Sequence, residues 1–337
     1  MATIFDVAKE AGVSKSTVSR VVNGDPAVKP ATREAVETAI RKLNYAPSYF
    51  AQGIRTGQTK TIALLVPEYT NMFYGEMFNG VEDVAFEHGY MVLVGNTGNT
   101  PSEKEYIQQL LNRRIDGIVY NTYHTGGESI EYLKKLSRKM PIVFMDEAIG
   151  KAEKVSSVYT DGFQSTKRAV EYLAGRGCRK IGYIRNMDSV QATEYRFEGY
   201  KQGLKELGLP MEEVYIYQCP VQKQANYIKA GMEAGSYFAD LKERPDAILA
   251  AIDLLAIGCV SRLIDRGISV PEEISVIGYD NIDLGEVMRP AVTTIAQPTR
   301  EMGRIAARII MEQLKSQEIK CQKKVFDGKL IIRQTTR

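Results

Sequence analysis

The spacing of apolar and polar positions divides the chain into two regions of different period. Over residues 3–44 apolar side chains recur every three or four positions, the period of short amphipathic helices. Thr3 stands where a helix N-cap is needed, and Asp6, three residues on, completes a capping box. Ala8 is small where two helices must cross closely, and Gly12 supplies the left-handed residue that ends the first helix. Ser14 caps a second helix, in which Val18, Val21 and Val22 form an inward stripe. Lys15, Ser16 and Arg20 then face outward. A third helix starts at Pro30, a favoured first-turn residue, carries Val36, Ile40 and Leu43 at helical spacing, and ends at Asn44.

Beyond residue 60 the pattern changes to short apolar runs that alternate with helical segments. It predicts strands at 62–66, 91–94, 117–120, 142–145, 180–184, 214–217, 247–250 and 274–279. Gly89, Gly177, Gly208 and Gly267 each close a helix just before a strand. Repeated at a βα spacing, this chemistry implies parallel sheets covered by helices. Two such units of about 100–130 residues fit the length.

Charge sharpens the first region. Residues 1–60 hold nine Lys and Arg against five Asp and Glu, a net of +4; the whole chain is +3, so the remainder is −1. A basic head on a nearly neutral body is the footprint of phosphate binding. With an outward-facing second helix, it predicts a helix-turn-helix that reads double-stranded DNA; a mere three-helix packing module leaves the charge unexplained. No apolar run approaches a membrane span, and the first helix is amphipathic rather than a signal peptide. Cys178, Cys219, Cys259 and Cys321 lie far apart, which argues against a disulfide framework or zinc site and for a reducing cytoplasm. His88 and His124 have no ligand-like neighbours, so no metal is expected. The chain lacks GxxxxGK, GxSxG and HExxH, which speaks against an enzyme. A solute-binding module would share the body but not the basic head.

The run Ile4-Phe5-Asp6-Val7-Ala8, followed by Gly12-Val13-Ser14 and Thr17-Val18-Ser19-Arg20-Val21-Val22-Asn23, resembles the head of the LacI/GalR family of bacterial transcription regulators. Val28-Lys29-Pro30-Ala31-Thr32-Arg33 and Leu43-Asn44-Tyr45-Ala46-Pro47-Ser48 continue the likeness, which extends through the chain and is closest in pattern to catabolite-control and purine-repressor members. The resemblance implies an all-α helix-turn-helix head (1–47), a hinge helix and linker (48–60), and an α/β effector-binding and dimerisation body (61–337). The body it implies is two-lobed and periplasmic-binding-protein-like, with parallel sheets. Lobe one is expected at about 61–160 and 292–321, and lobe two at about 161–291 and 322–337. The implied protein is a repressor, cytoplasmic and nucleoid-associated in a bacterium. It acts as a homodimer on a pseudo-palindromic operator and needs no cofactor. Its small-molecule effector, of carbohydrate type, binds between the lobes; in catabolite-control relatives a partner phosphoprotein takes that regulatory role, and this alternative stays open. The strand-like run 329–337 is not followed by a heptad tail, so a dimer rather than a tetramer is expected.

Two sets of site residues follow. Lys15, Ser16 and Arg20 are expected at base edges, with Arg20 suited to the O6 and N7 of a guanine. Thr17, Ser19 and Asn23 are expected at phosphates, with Thr3 and Ser14 beside them. In relatives a hinge leucine wedges into the minor groove, and Ile54 stands at that place here. In the body, ligands bind beyond the carboxyl ends of strands. That rule selects Phe73, Tyr74, Asn121, Asp146, Asp161, Asp253 and Asp280, together with Arg196 at the start of a helix. Family likeness places Phe73, Arg196 and Asp280 on the effector. Phe73 also fits a core position, and Asp161 and Asp253 also stand where helices need caps. Where many relatives carry a polar residue before the aspartate at 253, this chain has Ile252.

Overall fold

Helix capping and a small apolar centre define the first unit. The structure, a computed structural model, describes residues 2–45, 58–98, 102–122, 128–145, 154–186, 191–220 and 226–337. It divides into two units, Met1–Lys60 and Thr61–Arg337. In the first, α1 (Ile4–Glu10), α2 (Lys15–Val22) and α3 (Pro30–Lys42) enclose Val7, Ala8, Val18, Val21, Val36 and Ala39. The expected Val22, Ile40 and Leu43 pack only partly against this centre. Gly12 adopts φ +65°, the left-handed turn that lets α2 reverse across α1.

The second unit opens with β1 (Thr61–Val66), α4 (Met72–Glu87), β2 (Met91–Asn96), α5 (Glu103–Asn112), β3 (Gly117–Tyr120), α6 (Glu128–Leu136), β4 (Ile142–Met145) and β5 (Ser156–Thr160). It continues with α7 (Gly162–Gly175), β6 (Ile181–Arg185), α8 (Gln191–Glu206), β7 (Ile216–Gln218), α9 (Tyr227–Asp240), β8 (Ala247–Ala250), α10 (Asp253–Asp265), β9 (Ser275–Asp280), α11 (Asp283–Val287) and β10 (Thr293–Ala296). It ends with α12 (Thr299–Ser316), β11 (Lys323–Phe326) and β12 (Lys329–Ile331). Two six-stranded sheets form, in the orders β2-β1-β3-β4-β5-β11 and β7-β6-β8-β9-β10-β12. The sheets are parallel as expected, with one antiparallel pairing at an edge, β10 with β12.

Sheet pairing also moves the lobe boundaries. β10 pairs with β9, with Thr293 opposite Ile277, so it lies in the second lobe and not in the first as expected. β11 pairs with β5, with Lys323 opposite Ser157, so it lies in the first lobe and not in the second. The chain therefore crosses between lobes near Asp161, Gln297 and Asp327. Three strands had no counterpart in the apolar pattern: β5, β10 and β11. β5 reads Ser-Ser-Val-Tyr-Thr and is buried because α12 satisfies it, Gln313 Nε2 donating to Ser156 Oγ at 3.3 Å.

Strand alternation distributes the core. Ile62, Leu64 and Val66 face α4 and α12, while Ala63 and Leu65 face α5 and α6. α4 and α12 cross at glycines. A Cβ on Gly80 would overlap the Arg300 carbonyl, and one on Gly303 would overlap the Met77 carbonyl. The obstacle in both cases is backbone, which cannot rotate away.

A buried carboxylate ties the second sheet to its own loops. Asp253 Oδ2 accepts from the Ile282 backbone N–H at 2.8 Å, and its Oδ1 accepts from Thr294 Oγ1 at 2.6 Å. Burial pushes this carboxyl up to about 6, against the pull of the hydrogen bonds from Thr294, Ile282 and Asn281 and of the charge on Arg333. Gly278 gives it room, since a Cβ there would overlap Asp253 Oδ1.

Two outcomes follow. Gly80→Ala should lower stability by about 1–3 kcal/mol, because it forces two helices apart; a thermal melt of the second unit's transition reads this. Asp253 should give a pH-dependent term of known sign. Between its ordinary value near 3.8 and about 6, the folded chain keeps a proton that the unfolded chain has released. Its stabilising contribution is therefore complete below that ordinary value and is lost as pH rises through about 6, a fall of about 1 kcal/mol between pH 5 and pH 7. Urea unfolding at the two pH values, compared with Asp253→Asn, should show that this component of the slope is absent in the variant.

Candidate DNA-reading face and ligand cavity

In the first unit the caps consume several of the candidate side chains. Thr3 N donates to Asp6 Oδ2 at 2.8 Å, and Asp6 N donates to Thr3 Oγ1 at 3.4 Å, closing the capping box. The Thr3 backbone N–H and the Thr3 hydroxyl, each donating to Asp6 Oδ2 at 2.8 Å, hold the Asp6 carboxyl below the usual carboxylate range. Ser14 Oγ accepts from Thr17 N at 3.2 Å and lies 2.7 Å and 2.9 Å from the hydroxyls of Ser16 and Thr17. Asn23 Nδ2 donates back to the Ser19 carbonyl and to Ser19 Oγ. Thr3 and Ser14 thus act first as caps.

Lys15, Ser16 and Arg20 are exposed on one side of α2, and Val18 and Val21 are buried on the other. Arg20 reaches only a 4.0 Å contact with Asp25 and remains 68% exposed, so its guanidinium is accessible. Lys15 Nζ sits 4.8 Å from the ring centroid of Phe5, an exposed residue that the sequence reading left out. Ile54, with the rest of the expected hinge from 48 to 57, lies outside the described residues.

In the second unit, side chains from both lobes converge on one cavity. Asn71, Phe73 and Tyr74 come from the start of α4, and Asn121 follows β3. Opposite them stand Asn186 after β6, Thr193 and Arg196 on α8, Ile252 after β8, and Asp280 at the end of β9. Strand ends and helix starts meet here because parallel strands all point their carboxyl ends to one edge. The cavity measures about 30 Å³, space for a water or two. Phe73 and Asp280 also border a wider cleft of about 610 Å³ along the starts of α4 and α12. The wider cleft is the larger space, but the buried charged pair lies in the narrow one.

Arg196 is 3% exposed and held from three sides. Its Nη1 donates to the Ala251 carbonyl at 2.8 Å and lies 3.7 Å from Asp280 Oδ1; its guanidinium carbon sits 3.8 Å from the Tyr279 ring centroid. Asp280 Oδ1 also accepts from Gln297 Nε2 at 2.9 Å. Asp280 has φ +118°, a conformation that side chains other than glycine adopt only when the surroundings enforce it. The enforcement is visible: Asn281 N donates to Thr294 Oγ1 at 3.2 Å, and Arg333 Nη2 donates to Asn281 Oδ1 at 2.8 Å. Asn121 Nδ2 and Gln297 Oε1 are buried here with no hydrogen-bond partner among the described residues.

Five of the eight expected effector residues line this cavity: Phe73, Tyr74, Asn121, Arg196 and Asp280. Asp161 and Asp253 do not. Asp161 caps α7, accepting from Gln164 N at 3.1 Å, and Asp253 is turned inward onto Ile282 and Thr294. Asp146 lies outside the described residues. Asn71, Asn186 and Thr193 were missed. Asn186 obeys the strand-end rule, and Thr193 lies one turn before Arg196, so both carried a usable signal. Gln297 follows β10, a strand the apolar pattern did not show.

Comparison with known proteins agrees with both units. Residues 3–48 match the model for bacterial regulatory proteins of the lacI family, and residues 170–336 match a periplasmic binding protein-like domain. The chain is 32% identical over 337 residues to catabolite control protein A of Priestia megaterium, covering 99% of each. It is 36% identical over 328 residues to the HTH-type transcriptional repressor PurR of Vibrio atlanticus, covering 97% of this chain and 96% of that one. The solved complex of the transcriptional regulator CelR with cellobiose superimposes with a TM-score of 0.74 at 29% identity, covering 99% of this chain and all of that one. A capped helix-turn-helix joined in one chain to a two-lobed α/β body is what these relatives share along their whole length, and the chain belongs to the LacI family of bacterial transcriptional regulators.

Proposed function

We propose that this regulator is a homodimeric repressor of a pseudo-palindromic operator, and that a carbohydrate bound between its lobes sets its operator affinity. The observation that carries the ligand reading is the meeting of Arg196 and Asp280 from one lobe with Phe73, Tyr74 and Asn121 from the other. A carboxylate beside a guanidinium suits vicinal hydroxyls, which both donate and accept. Phe73 and Tyr74, edge to face with centroids 5.1 Å apart, suit the apolar face of a pyranose. The similar regulator CelR is known with cellobiose. At about 30 Å³ the cavity is smaller than a sugar, so a sugar held by these residues requires them to move apart or to bind it from the adjoining cleft of about 610 Å³. The ligand changes operator affinity by its differential affinity for the two arrangements, and by no more.

On DNA, Lys15, Ser16 and Arg20 face the bases while Thr17, Ser19 and Asn23 face phosphates. Two heads on one dimer bind two half-sites, which a single short reading helix could not hold tightly.

Melting the full chain against cellobiose and a set of mono- and disaccharides tests the ligand reading. One sugar should raise the melting temperature and shift operator affinity; equal melting with every sugar counts against it. Asp280→Asn and Arg196→Ala should each remove that response while ligand-free operator binding stays nearly intact, since loss of a charged hydrogen-bond partner costs about 1.5–3 kcal/mol. A variant that still responds places the ligand elsewhere. Arg20→Ala should lose about 1–3 kcal/mol at one base pair per half-site and relax selectivity there, read by selection from randomised operators. Light scattering at dilute concentration and moderate salt should give a dimer mass; a tetramer mass would refute the assembly.

A further inference from the structure

One guanidinium closes the connection that follows the cavity's strained aspartate. That connection, residues 281–292, runs from β9 to β10 and carries α11 in its middle. Arg333, two residues past β12, reaches it at three places. Its Nη2 donates to Asn281 Oδ1 at 2.8 Å and to Glu286 Oε2 at 3.0 Å, and its Nη1 donates to the Val292 carbonyl at 3.0 Å. Its backbone N–H donates to Thr293 Oγ1 at 2.9 Å, which ties the root of the side chain to β10. The first residue of the connection, its helix and its last residue thus share one planar group.

A surface ion pair does not account for this. The Glu286 side chain is 69% exposed and its pairing is screened, whereas the Arg333 side chain is only 13% exposed. The contacts to Asn281 and Val292 go to neutral acceptors in fixed places, which suit the rigid fork of an arginine and not the point charge of a lysine. The first contact falls where the backbone is unusual: Asp280 at φ +118° is followed directly by Asn281 at φ +63°. Holding the Asn281 side chain holds the second of these residues, and the planar peptide between them carries the constraint to Asp280.

We propose that Arg333 is a positioning residue for ligand binding. By clasping both ends of 281–292 it keeps Asp280 reversed, with its carboxylate beside Arg196 and Gln297, before a ligand arrives. Arg333 borders neither the cavity nor the wider cleft, so it acts through Asn281 and the connection. Without the clasp, the reversed form is one of several, and apparent affinity falls by the fraction that stays competent.

The proposal rests on the reading that Asp280 meets a sugar, and two measurements on the full chain separate the two ideas. Hydrogen exchange of the ligand-free chain reports the clasp alone. Arg333→Met should speed exchange of the Asn281 and Ile282 amides about tenfold and leave the amides of β6 and β8 unchanged. Arg333→Lys should resemble Arg333→Met, and Glu286→Gln should resemble wild type. Titration with cellobiose and the same series of sugars reports the consequence. Arg333→Met should bind the sugar that stabilises wild type about ten- to thirtyfold more weakly, with ligand-free operator affinity kept within about twofold. In an Asn281→Gly background, where glycine tolerates the positive φ, adding Arg333→Met should weaken sugar binding by less than about twofold. Unchanged exchange at 281 and 282 in Arg333→Met overturns the proposal. So does faster exchange throughout the second unit, which would make Arg333 a general support of the fold. Wild-type sugar affinity despite faster exchange, or full additivity with Asn281→Gly, overturns it as well. If no sugar binds wild type, the carbohydrate reading fails and the exchange result alone decides the clasp.

Discussion

The cavity between the lobes depends on a strained aspartate that a buried hydrogen-bond network holds in place. Asp280 sits at φ +118° at the end of β9, a conformation that costs of order 1–3 kcal/mol and persists only where neighbours enforce it. Asp253 holds Ile282 N and Thr294 Oγ1, Thr294 in turn holds Asn281 N, and Arg333 from beyond β12 holds the Asn281 side chain. The same strain aims the Asp280 carboxylate at Arg196 and at Gln297. Gly278 belongs to this constraint, because any larger residue there would displace Asp253. The cavity wall is therefore set from behind, by residues that do not line it.

This arrangement has consequences for how a ligand could act. Gln297 lies at a crossing between the lobes, between β10 of the second sheet and α12 of the first. Its amide is already bonded to Asp280, and its carbonyl oxygen is buried without a partner among the described residues. An unsatisfied buried acceptor is costly, of order 1–3 kcal/mol, so a ligand donor at this point gains from satisfying it. α12 in turn crosses α4, which carries Phe73 and Tyr74, through the close glycine contact at Gly80 and Gly303. At that crossing α4 and α12 lie backbone to backbone, with no side chain between them.

The head solves a different problem with the same economy. Its three helices bury few residues, so each end must be closed by a local hydrogen bond. Thr3, Ser14 and Asn23 serve that purpose. What remains accessible on α2 is cationic, Lys15 and Arg20, and the ring of Phe5 beside them is the only large apolar group exposed in the described part of the head.

Local chemistry made much of this legible in the sequence. The capping box, Gly12, the βα punctuation by Gly89, Gly177, Gly208 and Gly267, and the strands at 117–120, 142–145 and 247–250 each depend on a few adjacent residues, and all of those glycines have positive φ. The strand-end rule reached Asn121 and Asp280 for the same reason, since a strand and its end are local facts. Three things were decided only by tertiary structure. β5, β10 and β11 are too polar or too short to show an apolar period, and they exist because neighbouring strands and α12 supply partners. The crossings between lobes follow from those pairings, so their positions could not be read from spacing. Asp253 and Asp280 share a residue type and a place at or just past a strand end, yet one locks a loop and the other faces the cavity. What separates them is a backbone reversal at Asp280 and Asn281 that Thr294 and Arg333 enforce, 13 and 52 residues from Asn281, and no local pattern encodes a conformation held from that far along the chain.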